Sequence, residues 1–207
     1  MTKIETKAET DKKVPRTIPL MAFDLGNRFV KAGTPGNLIS YPSFQKIRDQ
    51  YQDVDPTKLP AKSWLIGGGA VEYIVGKLAS DLQGIPSFKL DKWEIAPQLF
   101  YAAIVALGIS GSAEVQELRV TTPDSQNRFQ VSRLKALEKA HRFSANGEEV
   151  TLKVGKVRIF DEGVPAWHHA VQKGVWQFPS AINGVLDLGG GTAIARLINS
   201  QGTVLHW

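Results

Sequence analysis

The sequence predicts an α/β fold: a mixed sheet flanked by helices, with an inserted smaller subdomain. Three observations predict it. Short apolar or alternating runs read as strands and are interleaved with stretches of helical period. Glycine and proline break the chain between them. An Asp-x-Gly turn ends an apolar run twice, in MAFDLGNRFVKAG (residues 21–33) and in GVLDLGGGTAIARL (residues 184–197).

Each element follows in order. Residues 18–24 are short and apolar and end in a turn, so they read as a buried strand, with FVKAGT as its hairpin partner. The chain stays extended through PGNLISYPSF, and residues 45–62, with Pro56 and Pro60, read as a loop. SWLIGGGAVEYIVGKLASDLQG reads as a strand turning into a helix, with Val71, Ile74, Val75 and Leu78 at helical spacing and Gly84 as the stop. PQLFYAAIVALGI is a buried helix with Pro97 near its first turn. VQELRVTTP alternates as a strand does. NRFQVSRLKALEKAHRF reads as an amphipathic helix with Phe129, Val131, Leu134 and Leu137 inward. VTLKVGKVRIF alternates strongly, and VPAWHHAVQKG fits a short helix stopped by Gly174. The last segment reads as three strands joined by a glycine turn and an NSQG turn.

Composition narrows the function. The 207 residues are 43% hydrophobic, enough for a real core. There is no cysteine, which excludes disulfides and thiolate metal sites and suits a cytoplasmic location. Residues 1–17 are charged, lack an apolar core segment and read as a disordered tail rather than a signal peptide. The longest apolar run, LFYAAIVALGI, is too short to span a bilayer. The net charge is +5, with the basic residues scattered, so no direct nucleic-acid binding is indicated.

The paired turns carry the chemistry. A glycine turn leaves backbone N–H groups free to converge on a phosphate. A carboxylate beside it repels phosphate unless Mg²⁺ or its water lies between, so Asp24 and Asp187 suggest a metal–nucleotide site. Lys31, across the first hairpin, can add positive charge. A plain β-turn explains one Asp-x-Gly. Two on strong strands are harder to dismiss.

These motifs resemble a known superfamily. DLGNRFVKAG is similar to the first phosphate loop of the actin, Hsp70 and sugar-kinase superfamily. VLDLGGGTAIARL is similar to its second phosphate loop. VRIFDEGVPAWHHAV resembles the segment that positions the attacking water, in the form used by bacterial plasmid-segregation actins of ParM/StbA type. The resemblance covers residues 18–207. It implies an actin-like (ribonuclease H-like) fold, with the first-lobe core at residues 18–36 and 91–182. An inserted subdomain would span 37–90, and the first hairpin of a truncated second lobe 183–207. It implies ATP (or GTP) and Mg²⁺ as cofactors. Asp24 and Asp187 would hold the metal. Gly26, Asn27, Arg28, Lys31, Gly189, Gly190, Gly191 and Thr192 would bind the phosphates, and Glu162 would be catalytic. Asn27 stands where actin has a small hydroxyl residue and Arg28 where it has glycine.

The function implied is nucleotide-dependent filament formation for DNA partition, with ATPase activity if a second lobe completes the site. The partners implied are further copies, as homodimer or filament, and a DNA-bound adaptor protein; no membrane is implied. The alternative is a truncated, non-catalytic module acting by protein–protein contact. A sugar-kinase activity is disfavoured, since no sugar-binding signature lies between the loops. The apolar residues of the last strands, Val185, Leu186, Leu188, Ile194, Leu197, Ile198, Val204 and Leu205, are expected to need a cover from another chain. Four other features read as structural. Residues 66–70, IGGGA, lack the lysine of a P-loop and read as a strand-to-helix turn. The adjacent His168 and His169 face different ways on a helix. Glu148 and Glu149 fit a hairpin turn, and Trp64, Trp93, Trp167 and Trp176 read as packing aromatics.

Overall fold

The computed structural model describes residues 15–49, 53–89, 93–176 and 180–205. The first fourteen residues of the expected tail lie outside them. Strand β1 (Arg16–Leu25) begins two residues earlier than the apolar run suggests, and pairs in antiparallel fashion with β2 (Phe29–Thr34), which pairs with β3 (Asn37–Pro42). Residue 43 leads directly into β4 (Phe44–Ile47). A hairpin of β5 (Ser63–Gly68) and β6 (Val71–Gly76) follows, then α1 (Lys77–Asp81) and the short β7 (Ile85–Pro86). Next come α2 (Ala96–Ala106), β8 (Ser112–Thr122), α3 (Arg128–Lys135), β9 (Ala140–Ala145), β10 (Glu148–Asp161) and α4 (Val164–Gln172). The chain closes with β11 (Asn183–Leu188), β12 (Ala193–Ile198) and β13 (Val204–Leu205).

Ten strands form one mixed sheet in the order β3-β2-β1-β8-β10-β9-β5-β6-β4-β7. Its centre is parallel: β1 pairs with β8, and β8 with β10. Parallel strands need both faces covered. Their inward residues Met21, Phe23, Val115, Leu118, Val120, Leu152 and Val157 are buried, with α2 supplying Leu99, Phe100, Ala103 and Ile104. Helix α2 is apolar almost all round, which is why it sits inside. The strands β4 to β7 join the centre where β5 meets β9 at Ile66↔Ala145 and Gly67↔Ser144. They share a small core of Leu65, Ile74 and Ala79 with Phe44, Leu59 and Leu82. Strands β11 to β13 form a separate three-stranded sheet.

Three expectations are corrected. Val71–Gly76 is a strand, not the start of a helix, so IGGGA is a hairpin turn closed by Gly69 at φ +78°. The helix from Asn127 stops at Lys135, and its expected last turns are β9; Leu134 and Leu137 are buried, but Phe129 is half exposed. Residues 45–47 belong to β4 rather than to a loop.

Candidate functional site

The parallel register brings three strand ends to one level. Phe23 on β1 lies opposite Val120 on β8, and Val120 opposite Ile159 on β10. The next residues along are Asp24, Thr121 and Thr122, and then Asp161 and Glu162. Ligands of open parallel sheets are bound at such carboxyl ends.

Asp24 is anchored on both sides. Its Oδ1 accepts a hydrogen bond of 2.8 Å from Thr121 Oγ1. Its Oδ2 lies 3.7 Å from Lys31 Nζ, with Lys31 its register partner on β2. The hydroxyl holds the carboxylate in one orientation while a third of the side chain stays exposed. Lys31 is mostly exposed and free to swing toward an anion, because a pair this open is weak. Asp161, buried, accepts from both the Ser125 amide and the Ser125 hydroxyl at 2.8 Å, which fixes the turn after β8. Glu162 follows it; its amide donates to Thr122 O at 2.9 Å and its side chain is half-buried.

The first glycine turn is tight. A Cβ on Gly26 would collide with the Phe29 carbonyl oxygen, so no other residue fits without moving the backbone. The second turn, between β11 and β12, lies against it. A Cβ placed on Gly190 would sit 2.7 Å from Cβ, Cγ and Cδ of Arg28, and one on Gly191 would sit 3.7 Å from Asn27. The turns therefore meet although Arg28 and Gly190 lie 162 positions apart in the chain, with Asn27–Arg28 on one side and Gly190–Gly191 on the other. Asp187 lies on β11 opposite Ile194, two residues before this turn, and is exposed. Gly189 N–H donates to Thr192 O at 2.8 Å, closing the turn.

The small sheet is docked by α4. Val164 and Trp167 bury Ile198 and Val204, with Val185 and Trp176 packed beside them, and Arg196 Nη2 donates to Pro123 O. Ile198 and Val204 thus have their cover within the chain, contrary to the expectation that all eight apolar residues need one from outside. Among the described residues nothing covers the opposite face: Leu186 and Leu188 are 62% and 73% exposed, and Leu197 is 37% exposed.

Sequence reasoning missed Thr121 and Asp161, and also Ser43 and Ser87, whose hydroxyls lie against Gly26 O and Asn27 O of the first turn. Thr121 lies 97 residues from Asp24, and no local pattern links them. Among the described residues, no three His, Cys, Asp or Glu side chains gather as a metal cage. A cation held by one or two carboxylates together with ligand phosphates needs no such cage, and Mg²⁺ is usually held that way. Two glycines that admit no Cβ, beside two strand-end carboxylates, fit that arrangement.

The architecture is that of the actin-like fold. Native Ta0583, an archaeal actin homolog, superimposes with a TM-score of 0.73 at 21% identity, over 90% of this chain and 59% of that one. The apo psk41 ParM protein superimposes at 0.67 and 16% identity, over 90% of this chain and 63% of that one. AlfA, solved as a filament bound to AMPPNP, matches at 0.62 and 14% identity, over 93% of this chain and 67% of its own. The chain spans about three fifths of the length of the first two. No protein-family model and no curated protein matches the sequence. Among the described residues no helix is long and apolar enough to cross a membrane.

Proposed function

We propose that this chain is the nucleotide-binding part of an actin-like, filament-forming protein of the plasmid-segregation (ParM/StbA) type. The observation that carries the reading is the abutment of the two glycine turns, Gly190 against Arg28 and Gly191 against Asn27. Two turns of converging N–H groups can hold a polyphosphate from both sides. Asn27, Arg28 and Gly189 to Thr192 would cradle phosphate oxygens, and Gly26 lets the first turn close. Lys31 would supply charge to them. Asp24 and Asp187 would hold Mg²⁺, which when bound neutralises charge on the phosphates. Glu162, at the end of β10, would orient a water for attack on the terminal phosphate. Ta0583 has been solved in complex with ADP and AlfA as a filament with AMPPNP, which supports a nucleotide, ATP or GTP, as the ligand. The filaments of AlfA and Alp12 support self-association as the working state. A DNA-bound adaptor, a cytoplasmic location and ATP hydrolysis follow from the same reading. So does the division into a core at 18–36 and 91–182, an insert at 37–90 and a second-lobe hairpin from 183.

A second reading is a non-catalytic module that works by protein–protein contact. The bare face of Leu186, Leu188 and Leu197 favours it, because such faces pair with other chains. One experiment separates the two. The purified chain is followed by light scattering and pelleting with Mg²⁺ and ATP, GTP or no nucleotide. Nucleotide-dependent scattering with phosphate release supports the first reading. Stable association with no nucleotide dependence and no phosphate release supports the second.

A further inference from the structure

Ser43 and Ser87 are fully buried, 44 residues apart, and lie directly beneath the first glycine turn. Ser43 is the single residue between β3 and β4, and Ser87 follows β7. Their hydroxyls are 2.9 Å apart, and Ser87 N–H donates to Ser43 O at 2.9 Å. Both reach the turn. Ser43 Oγ lies 2.8 Å from Gly26 O, and Ser87 Oγ lies 2.9 Å from Asn27 O and 3.2 Å from Gly26 O. The Ser43 amide donates to Arg28 O at 2.8 Å. Three successive carbonyls of the turn, at Gly26, Asn27 and Arg28, are thus drawn to one side.

A serine hydroxyl has one proton to give. Sending the Ser43 proton to Gly26 O and the Ser87 proton to Asn27 O satisfies both carbonyls. In a trans peptide the C=O and the next N–H point in opposite directions, and no cis bond occurs among the described residues. Carbonyls held inward at Gly26 and Asn27 therefore turn the N–H groups of Asn27 and Arg28 outward, away from the serines. Those are the residues whose side chains meet the second glycine turn.

We infer that Ser43 and Ser87 are positioning residues: a buried hydroxyl pair that fixes the peptide planes of the first turn so that the Asn27 and Arg28 amides form an anion cradle. The inference rests on the nucleotide reading above and names the device that aims its first loop. It also explains why two serines occupy wholly buried positions, where an unbonded hydroxyl is costly. Because both flank the β4–β7 strands, the device ties that part of the sheet to the loop.

The test uses the full chain and Ser43→Ala/Ser87→Ala, with each single variant as a second set in case the double variant fails to fold. Two quantities are measured: backbone order at residues 26–29 by ¹⁵N relaxation without nucleotide, and affinity for Mg²⁺·ATP by calorimetry. The expected result is a loosened loop, an unchanged spectrum over β8 and β10, and binding weaker by on the order of tenfold. An equally ordered loop in the variants overturns the inference whatever the nucleotide does. Wild-type binding that the variants match also overturns it, and leaves the nucleotide reading standing. If the wild type does not bind Mg²⁺·ATP, the nucleotide reading falls, and loop order alone decides whether the serines set the turn.

Discussion

Gly190→Ala tests the abutment of the two turns with a single methyl group. Gly190 has no left-handed backbone requirement, so alanine brings no conformational strain of its own. The new Cβ would sit 2.7 Å from three carbons of the Arg28 side chain, including Cβ, which cannot swing away. Carbon atoms rest about 3.5–4.0 Å apart, so the turns must separate by roughly 1 Å. A 1 Å misplacement of binding groups can cost about 100-fold in a site that relies on position. Both turns are at the surface, so the fold should lose no more than about 0.5 kcal/mol. The assay is calorimetric titration with Mg²⁺·ATP beside a urea melt. Gly190→Ala should weaken binding by at least about tenfold with little change in the melt. Adding Arg28→Gly removes the obstructing carbons and should restore much of the loss. Binding by Gly190→Ala equal to wild type would show that the site does not depend on this contact, and so would a loss that Arg28→Gly leaves untouched.

Other consequences concern the core, the pH response and the bare face. Phe100, fully buried and edge-on to Phe23 with ring centroids 5.4 Å apart, should cost about 3–5 kcal/mol when changed to alanine, read from urea midpoints. His141 donates from Nε2 to Leu137 O at 2.8 Å and therefore accepts at Nδ1 from the Tyr101 hydroxyl at 3.0 Å. Burial pushes its pKa below the ordinary 6.5, so the unfolded chain takes up the proton first. Its contribution is complete above about pH 6.5 and lost as pH falls below it; His141→Gln should flatten the fall in stability below about pH 6.5. Leu186→Ser/Leu188→Ser should shift sedimentation toward monomer without altering the melt of the main sheet, and an unchanged distribution would show that this face is not the contact.

Much of the architecture was legible in the chain, for physical reasons that differ between elements. The central strands β1, β8 and β10 announce themselves because buried strands need dense apolar or alternating runs. Helix α2 is readable because an eleven-residue segment that is apolar but for Gln98, with an early proline, has few other homes. The stretch from Val71 misleads because Val71, Ile74, Val75 and Leu78 satisfy the helical period by coincidence. In the fold Ile74 and Val75 are both buried because this strand is covered on both faces, whereas Val71 is 38% exposed. Helix α3 is over-extended in the sequence because Leu137 and His141 continue the helical spacing of Leu134; they do so through a turn and then a strand of period two. The two glycine turns were visible as motifs. Their supports were not: Thr121, Ser43 and Ser87 reach the first turn from distant segments, and nothing in a serine or threonine alone marks it as a partner of a loop.

Whether the two glycine turns form one anion site is read from amide spectra of the isotopically labelled chain titrated with Mg²⁺·ADP. A shared site makes the amides of residues 26–28 and of residues 189–192 shift together and saturate with one dissociation constant. Perturbation confined to one turn, or two turns saturating with independent constants, would contradict it.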